Sequence, residues 1–415
     1  MAARAFPSIL VVNDEWGAKN SWAEISTVHR EICSLAKEIG ATVYSTTLKA
    51  SDIDKQDCDG KQVKLIEPQI KARLPKNERT PKVSWLIQHE SFFPDLKNIP
   101  KVDIIIGHAP VTDDAALEIR EHVFPAAKLY LFNHVIPEDI EAYQKKWSMN
   151  EVQEKEKKIL DAAREAAAVF SVGPRIFEHY RNKFRALDAK DHIKYIPRPE
   201  QQFFDVQMSK LDDIRTMRVI TFGHISGVER LKGYDLVVSA LSRVAEAYHS
   251  MFENPPEWII RGIPKDEQEQ TMEFLNDNMT SGHLNIKPYP YGSKDDIRRD
   301  LQQSHLCILT SRSEPFGLIG LEAIAAGIPT LITKNSGLAQ YLEGQFPLLA
   351  QAIVVDVGIN EVSKNRDIEK WKQEIIRVLR GYSVAFNRAQ ELKKELSNCM
   401  LVKTSHEAFK DFCLK

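Results

Sequence analysis

Two glutamates, Glu314 and Glu322, stand either side of a glycine in the segment SRSEPFGLIGLEAIAAGIPTL, Ser311 to Leu331. The apolar run Leu306 to Leu309 precedes it and reads as a buried strand. Glu314-Pro315-Phe316-Gly317 then reads as a loop, Leu318 to Ala326 as a short helix closed by Gly327, and Pro329 as the approach to the next strand. Eight steps at about 3.6 residues per turn end about 80° from whole turns, so helical spacing can keep both acids on one side. Gly317 lets the backbone come close to a ligand. The free N–H groups at a helix start can hold phosphate. Such chemistry suits a polyhydroxylated ligand joined to phosphate, one carboxylate accepting from sugar hydroxyls and the other from a ribose. The same pattern also fits a plain strand–loop–helix carrying two surface acids.

Other candidates lie at strand ends. Phe222-Gly223-His224 leads through Arg230-Leu231-Lys232-Gly233 into a helix, which puts two cations beside a turn. His108 follows the strand-like Val102 to Ile106, and His134 follows Lys128 to Phe132; each is a cleft histidine or a satisfied structural one. Arg261-Gly262 and Tyr289-Pro290-Tyr291-Gly292 end two further runs, where Tyr291 either stacks on a base or packs. Asp52-Ile53-Asp54 is an isolated acidic pair. No serine-hydrolase elbow, Walker loop or dinucleotide fingerprint occurs, so hydrolase, kinase and dehydrogenase readings have no support.

The elements that must carry these residues alternate along the whole chain. Ser8 to Val12 reads as a strand, Trp22 to Ile39 as an amphipathic helix closed by Gly40, and Ala41 to Thr46 as a strand. Val83 to Gln88 is read as another strand, and Glu138 to Val169 as helix broken near Ser148. Ile196 to Asp213 lacks periodicity and reads as an interdomain connection. Alternation resumes from Met217 to Ile332, and Lys364 to Phe386 and Arg388 to Phe412 read as terminal helices. Apolar strands between helices indicate α/β architecture with parallel sheets covered on both faces, whose ligands sit at the strands' carboxyl ends. The expected division is 1–205, 206–390 and a terminal helix, 391–415, that packs back on the first domain.

The chain has 415 residues, with 56 Lys+Arg against 58 Asp+Glu, a net charge of −2. That balance gives no field for nucleic acid, so an anionic ligand must be met by a few local cations. Apolar runs fall short of the roughly 20 residues of a membrane span. Five scattered cysteines, with no CxxC pair, fit a reduced, cytoplasmic protein without a disulfide framework or zinc site.

The segment Glu314, Phe316, Gly317 to Glu322, continuing through Ala326-Gly327-Ile328-Pro329, resembles the E-x7-E signature of family 4 (group 1) retaining glycosyltransferases. The resemblance covers most of the chain and is firmest from Ile220 to Leu342. It implies a GT-B fold, with two Rossmann-like doubly wound domains facing a cleft, the C-terminal one binding a nucleoside diphosphate sugar. It implies that Glu314 contacts the hexose, that Phe316, Gly317 and Leu318 contact sugar and phosphate, and that Glu322 holds the ribose. Lys232-Gly233 matches the family's Lys-Gly, whose cation meets the diphosphate without a metal. Where the family has Gly-Arg this chain has Gly223-His224, and Arg230 is the replacement candidate.

His134 resembles a histidine that contacts the donor, and His108 falls deeper, towards the acceptor. Arg261 lines the donor cleft in the general fold, and Tyr291 borders the base. Ser336-Gly337-Leu338 resembles a loop near the pyrophosphate. The family's Gly-Gly in the first loop is replaced by Ala23-Glu24, leaving Gly17 for a close approach. A carboxylate about 5 Å from a phosphate charge would repel it by about 3 kcal/mol at an effective dielectric of 20. The expectation is therefore a hexosyltransferase with His134, Lys232 and Glu314 catalytic, using a nucleoside diphosphate sugar and no further cofactor or metal. The alternatives are a degenerate nucleotide-sugar-binding or interaction protein, because both departures surround the phosphates, and a sugar-nucleotide epimerase. The acceptor, the donor base and the oligomeric state are not specified by the sequence.

Overall fold

The computed structural model describes residues 6–18, 24–70, 75, 79–141, 149–187, 191–210, 216–223, 227–247, 253–280, 284–358 and 361–415. The chain forms two compact units, one made of 1–137, 149–198 and 400–415 and the other of 138–148 and 199–399.

The first unit is built on seven parallel strands: β1 (Ser8–Val11), β2 (Thr42–Thr46), β3 (Lys64–Ile66), β4 (Ile104–Ala109), β5 (Lys128–Asn133), β6 (Ala168–Val172) and β7 (Asp191–Tyr195). Their order is β3-β2-β1-β4-β5-β6-β7. The central strands are apolar on both faces because helices cover both; every residue of β4 and β6 is buried. The helix Glu24–Glu38 shows why such sequences fold this way. Val28, Ile32, Leu35 and Ala36 form its buried stripe, Glu24 and Lys37 complement its dipole, and Gly40 follows at φ +81°.

The last helix, Met400–Leu414, belongs to this unit. Phe409 meets Phe132 and Phe170 edge-on, and Ser405 Oγ accepts from the Ile196 N–H at 2.8 Å. The Tyr130 hydroxyl donates to the Phe412 carbonyl at 2.8 Å, which ties the helix's C-terminal end to β5.

The second unit is built on six parallel strands: β8 (Arg218–Phe222), β9 (Glu257–Arg261), β10 (Asn285–Tyr289), β11 (Leu306–Leu309), β12 (Thr330–Thr333) and β13 (Val354–Val355), in the order β10-β9-β8-β11-β12-β13. Trp258 lies in its core and donates from Nε1 to Thr221 Oγ1 at 2.9 Å, so burying the indole leaves no orphan donor. Trp371 and Ile375, from the helix Lys364–Arg380, complete the core against Val237 and Leu241 of the helix Tyr234–Ala247.

Several sequence expectations are corrected. Val83 to Gln88 is not a strand: Ser84–Ile87 and His89–Phe92 are single helical turns, folded so that Trp85 stacks on Phe92. The C-terminal helices break elsewhere than expected, at Gly381 and at Asn398-Cys399, giving Lys364–Arg380, Tyr382–Ser397 and Met400–Leu414. The expected interdomain connection contains a helical turn, Gln201–Phe204, with Phe203 buried. Strands β3 and β13 were not expected, and their three and two residues are too short to show a period. The expected break near Ser148 lies outside the described residues.

Candidate active site

Strands β8 and β11 are neighbours at the centre of the second sheet, and their following connections run to opposite sides. Crevices at such reversals of strand order are where open α/β sheets bind ligands. Lys232 lies on the connection after β8 and Glu314 on the one after β11. The Lys232 Nζ meets Glu314 Oε2 at 2.8 Å, and the Ser311 hydroxyl donates to the same oxygen at 3.0 Å. Both members of this ion pair remain partly open, with side chains 31% and 19% exposed.

The two connections are held together by the chain itself. Gly233 has φ +70°, and a Cβ there would lie 2.2 Å from the Thr310 carbonyl oxygen, so the close approach requires glycine. The Thr310 hydroxyl lies 3.0 Å from the Lys232 carbonyl and 2.9 Å from that of Gly233. Below them Arg312 makes a two-pronged bond to Asp235, at 2.7 and 2.8 Å, and also donates to the Arg230 carbonyl. Arg312 and Asp235 are almost fully buried, and Lys364 adds a second cation 3.0 Å from Asp235. Together these cations hold the Asp235 carboxyl below its usual range against the opposing effect of burial. Arg312 was not singled out in the sequence, since its partner lies 77 positions away.

The loop after β11 ends at Gly317, φ +108°, and no side chain caps the helix Leu318–Ala326 that follows. Phe316 is fully buried and anchors the loop. Glu314 N–H donates to the Asn335 carbonyl, and Gly337 N–H donates to the Glu314 carbonyl, which brings the start of the helix Gly337–Gln345 beside the loop. A Cβ on Gly337 would lie 2.3 Å from the Pro315 oxygen. Glu322 stands in an otherwise apolar, nearly wholly buried helix and is itself 7% exposed. A carboxylate placed there goes against the cost of burying charge.

The family model described as "Family 4 Glycosyltransferase in conflict systems" matches residues 10–408. The chain belongs to this glycosyltransferase family. Among curated relatives, the mannosylfructose-phosphate synthase of Agrobacterium fabrum is 31% identical over 184 residues, 41% of this chain and 39% of that protein. The D-inositol 3-phosphate glycosyltransferase of Corynebacterium urealyticum is 29% identical over 133 residues, 31% of this chain and 30% of that protein. The chain thus matches well under half the length of these curated relatives. The solved sucrose-phosphate synthase of Thermosynechococcus elongatus superposes with a TM-score of 0.69, at 13% identity over 98% of both chains. HepE of Anabaena, solved with UDP and glucose, gives 0.63 at 16% identity, covering 98% of this chain and 99% of that one. These likenesses establish the GT-B fold. Among the described residues no helix is long and apolar enough to cross a membrane.

The remaining expected site residues of this family 4 chain fall in different surroundings. Arg230 is exposed on the loop next to Lys232. Arg261 is buried, its Nε 2.7 Å from Asp300 Oδ2, its Nη1 donating to the Pro290 carbonyl and its guanidinium over the Tyr289 ring. It therefore shapes the loop that carries Tyr291, which is 39% exposed. His224 and Ala23 lie outside the described residues. Glu24 opens the first long helix and is half-buried. Gly17 is buried: its carbonyl accepts from Arg30 at 2.7 Å, the Ala18 N–H is held by Asp54, and a Cβ would lie 2.7 Å from that of Ser26. Asp54 of the Asp52-Ile53-Asp54 tripeptide also closes a capping box with Ser51.

His108 and His134 come together. His108 Nδ1 is 3.0 Å from His134 Nε2, and His108 Nε2 is 3.2 Å from Nδ1 of His29, a residue the sequence reading missed. All three rings are buried. Burial pushes His108 down to about 3, and it holds His29 and His134 well below the ordinary histidine value. Such rings act at neutral pH as neutral donors and acceptors.

Proposed function

We propose that the chain moves a hexosyl group from a nucleoside diphosphate sugar to an acceptor, with retention of configuration and without a metal ion. The observation that carries this reading is the Lys232–Glu314 pair, beside the side-chain-uncapped helix start at Gly317 and Leu318, at the strand-order reversal. A partly exposed ion pair is worth only about 0–1 kcal/mol. Lys232 can therefore exchange the carboxylate for a phosphate at small cost, which frees Glu314 to accept from hexose hydroxyls. The Gly317–Leu318 helix start supplies N–H groups and a positive dipole end to the departing diphosphate. Glu322 holds the ribose hydroxyls. Arg230 adds charge to the phosphates, and Tyr291 borders the base. No side-chain nucleophile is needed in a front-face route, where the leaving phosphate takes the acceptor's proton. In this reading His134 binds a substrate hydroxyl, and His108, 3.0 Å from it, supports its ring.

HepE of Anabaena, a structural neighbour, was also solved with UDP-glucose, which supports the substrate class. A second reading, binding without turnover, draws on the first loop. There Arg30 and Asp54 already occupy the hydrogen-bonding groups around Gly17. A panel of UDP-, GDP- and ADP-sugars separates the two. A transferase shows a raised melting temperature with one donor and releases its nucleoside diphosphate when acceptor is added. Binding alone raises the melting temperature without release.

A further inference from the structure

The buried histidines extend into a chain of four side chains drawn from four elements. The Ser45 hydroxyl of β2 lies 2.8 Å from His29 Nε2, and its single proton has an acceptor in the Thr46 carbonyl at 3.1 Å. His29 then meets His108 of β4, and His108 meets His134 at the end of β5. Each link is nitrogen to nitrogen or nitrogen to oxygen, and Ser45, His29, His108 and His134 are all nearly inaccessible to solvent. The chain stops at His134 Nδ1, which is buried and has no hydrogen-bond partner among the described residues.

A neutral imidazole carries one proton, so each link fixes the next. With its own proton on the Thr46 carbonyl, Ser45 can only accept from His29 Nε2–H. His29 Nδ1 is then bare and accepts from His108 Nε2–H, and His108 Nδ1 is bare and accepts from His134 Nε2–H. His134 Nδ1 is left with a lone pair. The reverse order would leave a buried N–H without an acceptor at His134, and orphaned buried N–H groups are rarer than orphaned acceptors. We propose that Ser45, His29 and His108 are positioning residues that lock His134 in one tautomer, so that its Nδ1 is an acceptor for a hydroxyl group of a bound ligand. Buried neighbours hold the ring in place, and the lock removes the choice between donating and accepting. In the transferase reading this hydroxyl belongs to a substrate, and that part rests on the function proposed above.

The test is the ring-nitrogen spectrum of the full chain labelled with nitrogen-15 histidine, assigned through His134→Gln and read at neutral pH. The wild type is expected to show His134 with a bare Nδ1 and a protonated Nε2. Ser45→Ala removes the anchor, and the His134 signals are expected to move to values averaged over both tautomers. Ser45→Thr, which keeps the hydroxyl, is expected to restore the single form. A protonated His134 Nδ1 in the wild type overturns the proposal without any variant having to fold. Identical His134 signals in the wild type and a folded Ser45→Ala protein overturn it as well. These spectra need no turnover, so a chain that fails to transfer sugar still gives the result for the lock.

Discussion

Replacing Gly233 with alanine isolates the contact that sets Lys232 beside Glu314. The new Cβ would lie 2.2 Å from the Thr310 oxygen and 2.9 Å from its carbonyl carbon, both backbone atoms that cannot swing aside. The left-handed φ of +70° costs an L-residue about 1–2 kcal/mol by itself. Separating the two connections also breaks the hydrogen bond that Thr310 Oγ1 makes to this turn, worth about 0.5–1.5 kcal/mol. The sum is about 1.5–3.5 kcal/mol before the remaining overlap is relieved. Gly227→Ala is the matched control, because Gly227 has φ +78° but nothing within 4 Å of its Cβ position. At about 2–4 °C per kcal/mol for a unit of this size, Gly233→Ala should melt about 3–14 °C below the wild type, and further with the unrelieved overlap. Gly227→Ala should lose about 2–8 °C on the same scale. The assay is a thermal melt of both proteins with and without the stabilising nucleotide sugar. The Gly233 variant should also lose most of the ligand-induced increase, since Lys232 moves with the turn. Equal melting points for the two variants would refute the argument from the Gly233–Thr310 approach.

Other outcomes follow from neighbouring contacts. Asp235→Asn should destabilise by about 3–5 kcal/mol by leaving Arg312 buried without its carboxylate, and pairing Arg312→Met with Asp235→Leu should recover much of it, as denaturant midpoints would show. Gly337→Ala should push the Pro315 loop outward and weaken donor binding in a titration, since its Cβ would lie 2.3 Å from the Pro315 oxygen. For His108, the folded ring is held near a pKa of about 3 by burial, against 6.5 for an ordinary histidine. The unfolded ring therefore binds a proton first as pH falls, and this residue's contribution is lost below about pH 6.5 at about 1.4 kcal/mol per pH unit. Melting temperature should fall less steeply between pH 6.5 and 5 in His108→Gln than in the wild type. Asp113, pushed up to about 6 by burial, opposes this trend in both proteins and cancels in the comparison.

The signature around Glu314 was legible because strand, glycine-bearing loop and helix are contiguous in sequence, so local pattern and site coincide. The alternation of apolar runs with amphipathic helices likewise gave both parallel sheets. What escaped depends on distance along the chain. Arg312 and Asp235 belong to two connections that meet only because β8 and β11 are adjacent. His29 looked like one more helix residue, and only the neighbouring positions of β1, β2, β4 and β5 set it between Ser45 and His108. The contacts of Arg261 with a carboxylate, a carbonyl and a tyrosine ring were equally hidden, since Asp300 and Pro290 lie on other elements. The run Val83 to Gln88 shows the opposite difficulty, since six apolar-rich residues serve equally for a strand or for single helical turns closed by Trp85 on Phe92.

The central claim is that Lys232 and Glu314 together handle a sugar diphosphate. It is tested most directly by nucleoside diphosphate release from the donor that stabilises the protein, measured with acceptor for the wild type, Lys232→Ala and Glu314→Gln. Release by the wild type, with each variant slowed by about 100-fold or more while keeping its fold, is the predicted result. Undiminished release by both variants would contradict it.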